Sequence, residues 1–345
     1  MSTARFRTSD GVELVVSVEG GTTLLGAAEA AGYHLPALCR QGFCGICRAQ
    51  VSEGRVSLAA YDARALPQAD VDTGGVLLCR GTPETDVVID LPYERSRVLS
   101  GAIPVRQVVL EALDRWPGDI VRIVVRAVED PEWGTSIQFD AGQFAQLTPP
   151  DGDKSRAYSY ASVANWDGTA EFYIKLREGG YFSEYLRDRA VIGDPLTLRG
   201  PQGTFGLHEN GLRPRWFVCG GTGLAPIMSM LRRMAEWGDP QEALLILGVN
   251  RTSEVYATYA LAELRVTMPR LRTLVTVVEP DRTWDGPVGT AVDQMIIELD
   301  ARPQEGEPPD IYLCGPPGFL DAARASAAAR GVGADQVYEE RILGS

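Results

Sequence analysis

The spacing of apolar and polar positions changes character three times along the chain. Up to about residue 95, short apolar runs alternate with turns. Residues 13–19 (ELVVSVE) predict a strand, 23–32 (TLLGAAEAAG) a short helix closed by glycine, and 86–91 (DVVIDL) a closing strand. This order fits a small β-grasp-like domain over 1–95, followed by a polar, turn-rich linker over 96–104. From 105 to 210 the pattern becomes one of many short strands, at 119–126, 143–147, 170–175 and 195–198, with one helix near 183–187. That combination predicts an antiparallel β-barrel. From 211 to 345 strands and helices alternate: 216–219, then a helix over 226–237, then 243–247, 273–278 and 310–314. Such alternation predicts an α/β, doubly wound parallel sheet, so the fold class expected is multidomain α+β.

The cysteines add chemistry to the first segment. Cys39, Cys44 and Cys47, with Cys79 arriving 32 residues later, give C-x4-C-x2-C…C, the ligand spacing of a plant-type [2Fe–2S] centre. Gly42 and Gly45 lie between the ligands and give the loop freedom to curl, so that its N–H groups can point at sulfur. Zinc and a disulfide are the other readings. Structural zinc usually shows a second closely spaced pair, absent here. Disulfides need an oxidising compartment, and the N-terminus (MSTAR) does not resemble a secretory signal, so a cytoplasmic location is expected.

Composition narrows the range further. The chain has 345 residues, 45% of them hydrophobic, and a formal charge of −13, which argues against a nucleic-acid partner. No apolar run approaches the length of a membrane span. Lysine occurs only at Lys154 and Lys175, and histidine only at His34 and His208. The chain therefore lacks the ligands for a Rieske centre beside its cysteines, and the carboxylate–histidine set of a helical di-iron site. Any oxygen activation belongs to another protein.

Two further groups of residues suggest cofactors. Arg156, Tyr158 and Ser159 follow an extended stretch: the tyrosine can lie against a flat isoalloxazine, the serine can hydrogen-bond near its reactive nitrogen, and the arginine can neutralise a pyrophosphate. Gly179, Gly180 and Ser183 open a helix where phosphate can approach. Later, Gly220-Gly221-Thr222-Gly223 separates a strand from a helix whose first turn carries Pro226, the place for a dinucleotide pyrophosphate. Cys314-Gly315-Pro316 again ends a strand, where Cys314 is expected to contact the nicotinamide.

In this order the residues resemble the ferredoxin–NADP⁺ reductase superfamily with an N-terminal plant-type ferredoxin domain, over essentially the whole chain. The resemblance is strongest to the reductase components of soluble methane monooxygenase and its short-alkane relatives. Leu91-Pro92-Tyr93, residues 200–206 (GPQGTFG) and residues 217–226 (FVCGGTGLAP) carry that closer match. The resemblance implies FAD in the barrel, NADH in the last domain, the cluster in the first, and an oxygenase or hydroxylase component as partner. It implies that Arg156, Tyr158 and Ser159 hold the flavin, with Gly180 and Ser183 on its pyrophosphate; Tyr173, Lys175 and Gly179 are further cofactor-binding candidates. Gly221, Thr222, Gly223, Glu254, Cys314, Gly315 and Pro316 would serve the nicotinamide nucleotide, with Tyr158, Ser159 and Cys314 at the reacting rings. Two departures stand out. Ile342 occupies the place of a flavin-covering aromatic, and Arg251 and Glu254 both lie where ribose specificity is set, with Glu254 favouring NADH. The nearest alternative client is an aromatic-ring dioxygenase or phenol hydroxylase. The alternative from another class is a zinc-binding interaction module without redox activity.

Overall fold

The computed structural model describes residues 2–209, 211–303 and 306–342. The chain divides into two compact units: residues 1–104 with 202–204, and residues 105–201 with 205–345. In the first unit, β1 (Ser2–Arg7) pairs antiparallel with β2 (Glu13–Val18). The second strand buries Leu14, Val16 and Val18 and exposes the residues between them, the period-two pattern of a half-buried strand. Helix α1 (Leu24–Ala30) starts at Thr23, whose hydroxyl accepts from the Gly26 N–H, and the chain leaves it through Gly32 at φ +83°.

A two-residue strand β3 (Tyr33–His34), β4 (Arg48–Glu53), β5 (Val56–Leu58), the short helix α2 (Gln68–Asp72), β6 (Gly75–Leu77), β7 (Gly81–Pro83) and β8 (Val87–Asp90) complete the unit's main elements. The five-stranded sheet has the order β2-β1-β8-β4-β6. Its core is filled by Phe6, Leu24, Leu66, Leu77, Leu78 and Ile89. The stretch expected as a linker carries a further strand, β9 (Leu99–Ser100), which pairs with β3, and Val98 beside it is buried.

The second unit opens with β10 (Val105–Trp116), β11 (Ile120–Ala127), β12 (Phe144–Thr148), β13 (Arg156–Ser159), β14 (Thr169–Lys175), helix α3 (Tyr181–Asp188) and β15 (Pro195–Gln202). The strands form one sheet in the order β13-β12-β15-β10-β11-β14, and a bridge from Tyr160, just after β13, to Phe172 of β14 links its two edges.

There follow β16 (Arg215–Gly220), α4 (Leu224–Trp237), β17 (Ala243–Arg251), α5 (Thr258–Thr267), β18 (Leu271–Glu279), α6 (Ala291–Asp300), β19 (Asp310–Gly315), α7 (Pro317–Ala328) and β20 (Val337–Arg341). These five strands are parallel, in the order β18-β17-β16-β19-β20. Alternate residues sort onto two faces. Phe217, Cys219, Leu245, Leu247, Tyr312 and Cys314 pack with α4 and α5. Trp216, Val218, Leu244, Ile246, Ile311 and Leu313 pack with α6 and α7. Both faces are covered, which is why these strands read as continuous apolar runs.

Inside this unit, the Glu171 carboxylate of β14 meets Arg122 at 2.7 Å and Arg232 of α4 at 3.0 Å. Burial alone would raise the Glu171 pKa; Arg232 and Arg122 overcome it and hold the carboxyl below its ordinary range. Among the described residues, no helix is long and apolar enough to cross a membrane.

Candidate functional site

The four amino-terminal cysteines come together as two thiol pairs. Cys47 Sγ lies 3.3 Å from Cys79 Sγ, and the Cys44 thiol donates to Cys39. The backbone N–H groups of Gln41, Phe43 and Cys44 also point at Cys39 Sγ, at 3.5, 3.3 and 3.3 Å. Curling the loop this tightly needs left-handed backbone at Arg40 (φ +56°), Gly42 (+79°) and Gly45 (+76°). A Cβ on Gly42 would sit 2.7 Å from the Tyr61 Cβ, so only glycine fits there. The Cys44 thiol first, then the N–H groups, draw the Cys39 thiol down to about 5, and Cys47 draws Cys79 to about 7. In each pair the partner's hydrogen bond pushes the other thiol, Cys44 or Cys47, up. Two such cysteine pairs, with N–H donors at Cys39, suit a binuclear cluster, whose two irons each take two thiolates. Among the described residues, no three His, Cys, Asp or Glu side chains converge as a single metal ion requires. The flanking arginines are engaged: Arg40 forks onto Glu29 at 2.6 and 2.8 Å, and Arg48 donates to the Ala65 carbonyl.

The second unit gathers the other candidates around two centres. On β13, Arg156, Tyr158 and Ser159 are all partly exposed, and the Tyr158 ring tilts against Phe182 of α3 at 5.2 Å. Gly179 (φ +67°) turns the chain into α3, Gly180 caps it, and the Ser183 hydroxyl accepts from the Arg177 N–H at 3.0 Å. The α3 N–H groups and the arginines near Tyr158 make this corner receptive to phosphate.

Tyr173 and Lys175 are further candidates for cofactor binding. The Tyr173 ring is buried against Trp116 (4.9 Å) and Tyr256 (6.1 Å), and Tyr256 donates to the Gly221 carbonyl at 2.8 Å. Lys175 donates to the Gly118 carbonyl, beside Glu254. Both are thus grouped with the nucleotide loop's supports.

That loop, Gly221–Gly223, is a turn of 3₁₀ helix between β16 and α4, at the carboxyl end of the parallel strands. Gly221 has φ +52°, and a Cβ on Gly223 would lie 2.4 Å from the Cys314 carbonyl oxygen, so the close approach of the two strand ends requires glycine. Thr222 lies between them. Cys219 and Cys314 are in register across β16 and β19, both fully buried, and burial pushes both thiols up. Cys314 is therefore the floor under the loop. Gly315 accepts from the Ile342 N–H at 2.9 Å, and Pro316 leads into α7. Glu254 folds back to accept from the Asn250 N–H at 3.1 Å, while Arg251 faces Glu279 at 3.5 Å on the surface.

Sequence reasoning missed two participants, Trp116 and Tyr256, which support the loop from outside the glycine-rich motif and which no motif marks. Glu340, two residues before Ile342, is opposite Cys314 in the β19–β20 register, and burial, with Glu339 as a second cause, pushes its carboxyl up to about 8. A cavity of about 750 Å³ opens at the other, amino end of the strands, near Trp216. Of its arginines, Arg270 pairs with Glu242 and Arg272 with Glu298, while Arg302 donates to the Glu307 carbonyl and lies over the Trp216 ring, and open α/β sheets bind ligands at the carboxyl end.

Comparison with known proteins accords with this geometry. Residues 7–84 match the 2Fe-2S iron-sulfur cluster binding domain, 121–206 the oxidoreductase FAD-binding domain, and 217–325 the oxidoreductase NAD-binding domain. The chain is 35% identical to methane monooxygenase component C of Methylosinus trichosporium, over 84% of this chain and 87% of that one. It is 32% identical to the toluate 1,2-dioxygenase electron transfer component of Pseudomonas putida, over 97% of each. Among solved structures, an Amycolatopsis cytochrome P450 reductase superposes with a TM-score of 0.73 at 25% identity, covering 98% of both chains.

Proposed function

The chain belongs to the iron–sulfur flavoprotein reductases that serve multicomponent oxygenases, within the ferredoxin–NADP⁺ reductase superfamily, and we propose that its client is a soluble di-iron hydroxylase acting on methane or other short hydrocarbons. The protein is an oxidoreductase that uses NADH, FAD and a [2Fe–2S] cluster. When bound, the nicotinamide supplies electrons as a pair, the flavin divides the pair, and the cluster passes them singly.

The protein's residues have these proposed tasks. Cys39 and Cys44 hold one iron, Cys47 and Cys79 the other, and the three N–H donors on Cys39 offset the negative charge gathered there. Arg156 and the α3 amino end, with Gly179, Gly180 and Ser183, hold the flavin pyrophosphate. Tyr158 covers the flavin ring and Ser159 hydrogen-bonds to it. Gly221, Thr222 and Gly223 cradle the nucleotide, Glu254 reads its ribose, and Cys314-Gly315-Pro316 shapes the nicotinamide floor. Tyr173 and Lys175 brace this loop from behind.

The functional domains are 1–95 for the cluster, 96–104 as connection, 105–210 as a flavin-binding barrel and 211–345 as a doubly wound nucleotide domain. The Tyr160–Phe172 bridge supports the barrel, and the two covered sheet faces support the winding. The observation that carries the redox reading is the triple N–H cradle on Cys39 Sγ.

The client is tested by mixing purified reductase and NADH with an alkane hydroxylase component, an aromatic-ring dioxygenase or a phenol hydroxylase, and measuring product. Turnover with the alkane hydroxylase alone is expected. Preferential coupling to an aromatic oxygenase would replace the proposed client with the one served by the toluate dioxygenase relative.

A further inference from the structure

Tyr93 follows β8, with a ring only 5% exposed in the core of the first unit. Its hydroxyl is sealed from solvent and has no hydrogen-bond partner among the described residues. Folded proteins seldom bury a hydroxyl without a partner, so an orphaned one calls for a group not made of protein.

The packing shows where that group lies. Tyr93 belongs to the same buried core as Cys47 and Cys79, two candidate cluster ligands. An ordinary phenol titrates at about 10, so the side chain is a protonated donor at neutral pH. Packing holds the ring, and the hydroxyl has no partner among the described residues.

We propose that the Tyr93 hydroxyl donates a hydrogen bond to cluster sulfur on the Cys47 side, and that this bond sets the reduction potential of the cluster. The proposal rests on the cluster reading given above. One electron enters the cluster and the phenol keeps its proton in both states. The donor favours the reduced state because that state carries one more negative charge on the acceptor. Tyr93 is a positioning residue for charge and takes no part in bond making.

The test uses the full-length holoprotein with Tyr93→Phe, which keeps the ring and removes the donor. The cluster's midpoint potential is measured by anaerobic redox titration followed by electron paramagnetic resonance. Exchangeable protons near the cluster are counted by electron–nuclear double resonance in H₂O and D₂O. With iron and flavin content unchanged, reduction is expected to become about tenfold less favourable, equivalent to 59 mV for a one-electron couple. One exchangeable proton should also disappear. An unchanged potential with the same proton set would overturn the proposal. Should Tyr93→Phe fail to retain iron, incorporation of 3-fluorotyrosine at Tyr93 reads the same bond with the opposite sign. The stronger donor must raise the potential, and no movement overturns the inference. Absence of iron from the wild-type protein would instead overturn the cluster reading, and this inference with it.

Discussion

Around Cys39, three backbone N–H groups and the Cys44 thiol converge on one sulfur at the protein's edge, and the thiol falls to about 5. Around Cys314, the same side chain lies fully buried among Cys219, Tyr256 and apolar neighbours, and its pKa is pushed well up. The first surroundings favour a thiolate, as the proposed ligand role needs; the second keep a neutral thiol, as the proposed floor under the nicotinamide needs. What distinguishes the two regions is the supply of hydrogen-bond donors, the Cys44 thiol first and the loop N–H groups after it, against burial beside Glu340 and Cys219. Both regions use left-handed glycines, but for different ends. Gly42 lets the loop wrap inward around sulfur, whereas Gly223 removes a side chain so that two strand ends can meet.

The strongest way to break this contrast is Cys44→Ser. Serine keeps the loop but loses the ligand, so iron and electron delivery to an acceptor protein should fall below detection. NADH-driven ferricyanide reduction at the flavin should persist. Survival of both activities would mean that Cys44 holds no cluster.

Next in size is Gly223→Ala. The added methyl would meet the Cys314 carbonyl at 2.4 Å, where backbone on both sides must move. Stability should drop by about 1–3 kcal/mol and the KM for NADH should rise on the order of tenfold. The effect is read by thermal melting and steady-state kinetics, with the flavin spectrum unaffected.

Glu340 sharpens the comparison through pH. Its folded pKa of about 8 lies above its ordinary 4.5, so the folded chain binds this proton more tightly than the unfolded one. The resulting stability is full below the ordinary value and is lost as pH rises through about 8. Glu340→Gln should flatten the fall in melting temperature across that interval, and a slope identical to wild type would remove Glu340 as its cause.

The smallest effect is chemical. In iron-free protein, an alkylating reagent at pH 6 should modify Cys39 within minutes and leave Cys219 and Cys314 untouched until the chain is unfolded. Mass spectrometry of the labelled peptides separates the sites.

Much of this was legible in the sequence because it is local. The strand expected over 13–19 is Glu13–Val18, and the helix expected over 23–32 runs from Leu24 to Ala30. The parallel strands were legible as apolar runs because both of their faces are buried. The twelve-residue strand Val105–Trp116 was not, since a bulge between Leu110 and Ala112 breaks the alternation and its second half, EALDRW, holds helix-forming residues. Strand pairing overrode that propensity. The cysteine spacing declared the cluster loop, yet the linker's pairing with Tyr33–His34 had no local signal. Tyr173 and Lys175 were legible only as cofactor-binding candidates; their contacts with Tyr256 and Gly118 come from the sheet, not from local sequence. The raised pKa of Glu340 is a property of packing alone, which no spacing records.

In the proposed function, one chain joins a nicotinamide-accepting loop to a thiolate-held cluster through a flavin. The most direct test is the visible spectrum of purified wild-type protein during anaerobic addition of NADH, with iron, zinc and flavin quantified. The account predicts bound iron and flavin, with flavin and iron–sulfur bands bleaching in the same titration. Zinc in place of iron, or flavin bands that bleach while the iron–sulfur bands persist, would contradict it.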